Sequence, residues 1–184
     1  MKRFILSAAA VFICTFATAQ SEGTKFGVKA GVQSTSFSGD GEWAGTTGFF
    51  VGGLVDIAIS GNFHVQPELL YSMEGAEADD DFTDEDYGVS YIRIPIMAKY
   101  YVMQGLSLQA GPEVAFKIGT DNEDVDAVIA STDFGIGAGV GYELGMGLMF
   151  DLRYNLGLSD IYEGPDESLE LKNTGIQLGI GYRF

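Results

Sequence analysis

The sequence is poor in cysteine, histidine, proline and positive charge, and each shortage excludes something. Cys14 is the only cysteine, so the chain has no internal disulfide and no cysteine-based metal site. His64 is the only histidine, which leaves too few nitrogen and sulfur ligands for zinc. Proline numbers 4 while aromatics reach 12%, and that balance is not the composition of a disordered chain. Lys and Arg total 10 against 26 Asp and Glu, for a formal net charge of −16. No basic patch is available to meet phosphates, so nucleic acid is excluded as a partner. Beyond the N-terminus no apolar run is long enough for a membrane-spanning helix. A length of 184 residues points to one domain.

The N-terminus reads as a secretory signal. Lys2 and Arg3 are followed by an apolar stretch, Phe4 to Phe16, and then by Ala17-Thr18-Ala19, an A-x-A cleavage site. The expected division is a signal peptide over 1–19 and a mature domain over 20–184, beginning at Gln20. The apolar stretch is short for a membrane anchor. Ile13 precedes Cys14 where a lipoprotein site would place a small residue, so Cys14 is expected to leave with the leader.

From residue 24 onward the hydrophobic period is two, the period of a strand. Eight segments alternate: Thr24 to Thr35, Thr47 to Ala58, Phe63 to Met73, Ser90 to Val102, Leu106 to Ile118, Asp133 to Leu144, Gly147 to Leu158 and Asn173 to Phe184. In the fourth, Ile92, Ile94, Ile96, Ala98 and Tyr100 share one face, and Tyr91, Arg93, Pro95, Met97 and Lys99 the other. The connections alternate too. Ile59 to Asn62, Met103 to Gly105 and Gly145-Met146 are tight. Ser36 to Thr46, Glu74 to Val89, Gly119 to Thr132 and Ser159 to Lys172 are long. Short turns on one rim and long loops on the other describe an outer-membrane barrel with its short turns in the periplasm. The expected fold is all-β, an eight-stranded antiparallel up-and-down transmembrane β-barrel.

Two features put the apolar face outward rather than in the core of a soluble barrel. The polar face is crowded with glycine: Gly27, Gly31, Gly48, Gly52, Gly111, Gly135, Gly137, Gly139, Gly141, Gly175, Gly179 and Gly181. Glycine weakens a strand, and a solvated face has no need of it, whereas a narrow lumen filled with long side chains does. The apolar-face aromatics also fall near strand ends, forming two girdles. Phe26, Phe63, Tyr100, Tyr142, Phe150, Tyr182 and Phe184 lie toward the short turns. Phe49, Tyr71, Phe116, Phe134 and Tyr154 lie toward the long loops.

The lumen face then carries Lys25, Lys29, Arg93, Lys99, Lys117, Arg153 and Arg183. Its acids are Asp56, Glu68, Glu113, Glu143 and Asp151, with Asp133 near the rim. Unpaired charges in a confined interior are costly, so these should form a paired network. Eight strands enclose only enough space for side chains, so a plugged lumen is expected rather than an open pore.

The other acids fall in the long loops. Glu74, Glu77, Asp79, Asp80, Asp81, Asp84, Glu85 and Asp86 crowd one of them. Asp121, Glu123, Asp124 and Asp126 occupy the next, and Asp160, Glu163, Asp166, Glu167 and Glu170 the last. Carboxylates on a loop can act as hard oxygen ligands, so Asp79, Asp80, Asp81, Asp84, Glu85 and Asp86 are weak candidates for Ca²⁺ or Mg²⁺. The spacing is not that of an EF-hand, and a solvated, self-repelling loop is the simpler reading. No cofactor is expected: the glycine run Gly135 to Gly141 does not fit G-x-G-x-x-G and is followed by no helix. A Ser-His-Asp triad would have to use His64, for which a lumen hydrogen bond is the expected role, and no catalysis is expected.

The stretch Tyr91-Ile92-Arg93-Ile94-Pro95-Ile96-Met97-Ala98-Lys99-Tyr100-Tyr101 resembles a recurring strand of the PorT-like outer-membrane β-barrel family. Gly111-Pro112 is similar to the glycine-centred strand that often follows. The terminal Gly181-Tyr182-Arg183-Phe184 resembles the C-terminal aromatic signal recognised by barrel-assembly machinery. The likeness covers the whole mature chain, and extends more broadly to small barrels of the OmpA/OmpX kind. It implies residence in the bacterial outer membrane, among lipid and lipopolysaccharide. The expected function is a structural or surface-interaction role, with a surface partner on the long loops. The alternative is an accessory component of protein secretion or transport, a role in which a few members of the family are implicated.

Overall fold

The computed structural model describes residues 23–39, 43–78, 86–120, 130–159 and 171–184. The expected signal peptide, 1–19, lies outside the described residues. The strands are β1 (Thr24–Gly39), β2 (Trp43–Ser60), β3 (Phe63–Ala78), β4 (Asp86–Met103), β5 (Leu106–Thr120), β6 (Thr132–Glu143), β7 (Leu148–Gly157) and β8 (Leu171–Arg183). Each pairs antiparallel with its sequence neighbour, and β8 returns to pair with β1, so the sheet closes as a barrel. Closure leaves no strand edge with unpaired backbone groups. The seam runs from Gly27 opposite Arg183 to Gly39 opposite Leu171. It is finished at the short-turn end by the Phe184 amide, which donates to the Phe26 carbonyl at 2.8 Å.

The faces divide as the alternation requires. Val28, Val32, Leu152, Leu178 and Ile180 are about half exposed on the outside, while Lys29, Gln33, Arg153 and Gln177 are buried inside. The outward aromatics stand in two bands. Phe63 is opposite Tyr100, Tyr142 opposite Phe150, and the Tyr182 and Phe184 rings meet edge to face at 5.6 Å. At the other end the Phe49 and Tyr71 rings meet at a tilt of 44°, with centroids 6.1 Å apart.

Two glycines show what the residue type supplies here. Gly105 closes the β4–β5 turn with φ +82°, a conformation that side chains with a Cβ rarely adopt. Gly137 faces the lumen in an ordinary strand conformation; a Cβ there would lie 3.2 Å from Arg153 Cδ and 2.9 Å from Asn155 Oδ1. Its missing side chain is the space that Arg153 fills.

The wall is taller than the sequence reading expected on one side. β1 to β4 run for 16 to 18 residues, whereas β7 has 10. About 9–11 tilted residues suffice to cross a membrane. The connection expected over Ser36 to Thr46 is therefore mostly strand, with β1 reaching Gly39 and β2 starting at Trp43. That expected over Glu74 to Val89 narrows to the interval between Ala78 and Asp86. Beyond an apolar layer the ladder still satisfies backbone groups, but nothing demands an apolar outer face, so pairing continues where alternation stops. The turn expected at Gly145-Met146 also takes in Gly147, which has φ +91°, and β7 starts one residue later than expected.

Candidate functional site

The inward side chains form a polar network in three levels. At the middle, Glu68 of β3 accepts from both terminal nitrogens of Arg153 on β7, at 2.7 and 3.1 Å. Those two strands stand on opposite walls of the barrel, so this pair bridges the lumen. Lys29 of β1 lies 3.4 Å from Glu68 and 2.9 Å from Asp151, and the Gln66 amide donates to Glu68 at 2.7 Å. The Gln109 carbonyl accepts from Arg153 at 3.4 Å. Every charge at this level is partnered, as burial demands.

Toward the short turns, Asp56 is the hub. It meets His64 Nδ1 at 2.5 Å, Arg183 at 2.9 Å and Lys99 at 3.6 Å. Arg183 also pairs with Glu143, which accepts from the Tyr101 hydroxyl at 3.1 Å. His64 is thus a hydrogen-bonding lumen residue, and its ring rests edge-on against Tyr101 at 4.8 Å. A cavity of about 20 Å³ lies between this level and the middle one, lined in part by Lys29, Lys99, Gln109 and Asp151.

Toward the long loops, Arg93 is the hub. It pairs with Glu74 through both Nε and a terminal nitrogen, with Glu113 at 2.8 Å and with Asp133 at 3.6 Å. Ser72 donates to Glu74 at 2.5 Å, and Asn173 and Ser159 donate to Asp133 at 2.9 Å each. Gln177 donates to Gln33 at 2.8 Å, and Gln33 in turn to Ser72 at 2.7 Å. A second cavity, of about 10 Å³, opens among these groups.

One sequence expectation is corrected here. Glu74, assigned to the acidic loop, is a lumen residue only 4% exposed. It continues the inward parity of Glu68, Leu70 and Ser72, and that parity was the signal available. Asp133 keeps its expected place near the rim, as the second residue of β6, and is 2% exposed in the Arg93 cluster, where Asn173 and Ser159 donate to it. The uncharged partners Gln33, Gln66, Gln109, Asn173 and Gln177 also belong to the network. The cation candidates Asp79, Asp80, Asp81, Asp84 and Glu85 lie outside the described residues. Asp86 is placed by its backbone alone, opposite Glu77 at the start of β4.

The fold and its inside-out polarity can now be set beside known proteins. A family model described as "Outer membrane protein beta-barrel domain" matches residues 5–184. The chain belongs to that family. It resides in the bacterial outer membrane, with its apolar face in lipid. Among solved structures it is similar to Ail, the attachment invasion locus protein of Yersinia pestis, at 17% identity and a TM-score of 0.54, covering 89% of this chain and 100% of that one. It is also similar to Neisserial surface protein A, at 13% identity and a TM-score of 0.59, again over 89% and 100%. At these identities the likeness is one of fold. A search of curated proteins returned no match. In this outer-membrane barrel the half-exposed apolar side chains are the ones that lipid covers, and the three polar levels stack along the membrane normal.

Proposed function

We propose that this outer-membrane barrel is a surface-interaction protein whose lumen is closed by its own side chains and which carries out no catalysis. The observation that carries the reading is the Arg153–Glu68 pair, which spans the lumen between opposite walls with Lys29 beside it. The interaction surface is then the long-loop rim. By sequence that rim is acidic: Asp79, Asp80, Asp81, Asp84 and Glu85 in one loop, Asp121 to Asp126 in the next, and Asp160 to Glu170 in the last. Ail has been solved in complex with the heparin analogue sucrose octasulfate. An acidic rim repels such a polyanion and favours cationic partners, or divalent ions shared with lipopolysaccharide phosphates.

The chain fits the PorT-like branch of the family, with residues 1–19 removed on export. Support for that placement comes from Tyr91 to Tyr101. Tyr91, Arg93, Pro95, Met97 and Lys99 are buried in the lumen, and Ile96 and Tyr100 are about half exposed on the lipid face.

The test is a recording from refolded mature protein in planar bilayers. A closed lumen gives no stable conductance steps, while porin-sized steps would overturn the reading. Co-purification with secretion machinery from native membranes would favour an accessory role in secretion instead.

A further inference from the structure

The charges of the lumen do not cancel evenly along its axis. In the middle and short-turn levels, the ion-paired Lys29, Lys99, Arg153 and Arg183 face Asp56, Glu68, Glu143 and Asp151, four against four, with Lys25 exposed at the short-turn rim. In the long-loop level, Glu74, Glu113 and Asp133 surround Arg93. Lys117 faces inward nearer the rim, is partly exposed and has interactions of its own. Counted with both Arg93 and Lys117, the long-loop level still holds one more carboxylate than cations, in a confined space where uncompensated charge is costly.

A second observation points at the same place. Asn155 Oδ1 and Gln177 Oε1 are buried acceptors with no hydrogen-bond partner. Their side chains are 8% and 2% exposed, and both line the cavity of about 10 Å³ that Glu74, Arg93, Glu113 and Asp133 also line. Buried acceptors without donors are rare and call for an explanation. A space of this size holds a single water or a single ion. Surplus negative charge and unused neutral oxygens around one such space are what a hard cation requires, since Ca²⁺ takes carboxylate and amide oxygens together.

We propose that the outer end of the lumen binds one hard divalent cation of the Ca²⁺ class, beside Arg93. Its ligands are the carboxylates of Glu113 and Asp133 and the amide oxygens of Asn155 and Gln177. Among the described residues no three Asp, Glu, His or Cys side chains already close on one point. The site is therefore a mixed one that tightens on the ion, with Glu74 held by Arg93. It is separate from the loop acids Asp79 to Glu85, and it stands whether or not the lumen conducts.

The experiment uses the refolded mature protein in detergent micelles. Ca²⁺ is titrated by calorimetry, and Mn²⁺ is added as a paramagnetic probe in amide-resolved NMR. The expected result is one saturable site, with a dissociation constant of roughly 0.1–1 mM, the range of extracellular calcium modules. Mn²⁺ should broaden first the amides of Glu113, Asp133, Asn155 and Gln177. The double variant Glu113→Gln/Asp133→Asn, checked for folding by heat-modifiable gel mobility, should bind at least about tenfold more weakly. Neutralising Asp79, Asp80, Asp81, Asp84 and Glu85 together should leave the lumen broadening in place. Broadening confined to residues 79–85, or no saturable broadening at millimolar Mn²⁺ in the unmodified protein, would overturn the proposal. The Mn²⁺ map needs no variant, so a double variant that fails to fold leaves the test intact.

Discussion

At the residue scale, the lumen shows how much the context of a charge matters. Arg153 is fully buried, yet its terminal nitrogens find Glu68 and Gln109, and Glu68 in turn finds Lys29 and Gln66. Removing one partner strands the other in a medium that cannot solvate it. Arg153→Met should therefore destabilise the barrel by about 3–5 kcal/mol, as measured by urea unfolding in lipid vesicles. Replacing both partners, Arg153→Met with Glu68→Leu, should recover most of that loss, because no orphaned charge remains. Equal stability of the single and double variants would mean that Lys29 alone suffices to hold Glu68. The charged members of this network were legible in the sequence, because strand parity alone assigns Arg153, Glu68 and Lys29 to one face. Their amide partners were less so. Nothing in the alternation distinguishes a glutamine that bridges two charges, as Gln66 does between Lys99 and Glu68, from one that merely faces inward.

At the element scale, the strands were legible where lipid enforces alternation and illegible where it does not. Segments such as Ile92 to Tyr100 must present an apolar side chain at every second position, so period two is written into the chain. Past the girdles only the backbone ladder matters, and pairs such as Gly75 opposite Gly88 and Ala76 opposite Tyr87 extend it with residues that read as loop. For the same reason Glu74, opposite Val89 in the ladder between β3 and β4, was read as a loop residue. Backbone pairing of this kind has a direct observable. Amide hydrogen exchange in the refolded barrel should show protection continuing through Ser34 and Thr35 on β1 and through Thr46 and Thr47 on β2, beyond the Phe49 girdle. Exchange at the rate of unstructured peptide from Ser34 onward would show that the hairpin ends at the lipid boundary.

For the whole molecule, closing the sheet fixes both its location and its interior. β1 paired with β8 leaves no free edge, so the barrel can stand in lipid, and an eight-stranded circumference leaves an interior the width of its own side chains. Ion pairs lie across that interior at three heights: around Arg93, around Arg153 and Glu68, and around Asp56 and Arg183. The levels are in series along one axis, so a permeating ion must pass all of them. On the closed-lumen reading proposed above, opening one level does not open the path. The double variant Arg153→Ala/Glu68→Ala removes the bridge at the middle level and leaves the Arg93 and Asp56 clusters untouched, since neither depends on those two side chains for its ion pairs. Planar bilayers containing that folded variant should remain silent, as those containing the unmodified barrel should. Regular conductance steps from the double variant would show that the Arg153–Glu68 pair is the sole barrier and that the outer and inner clusters are permeable to ions as they stand.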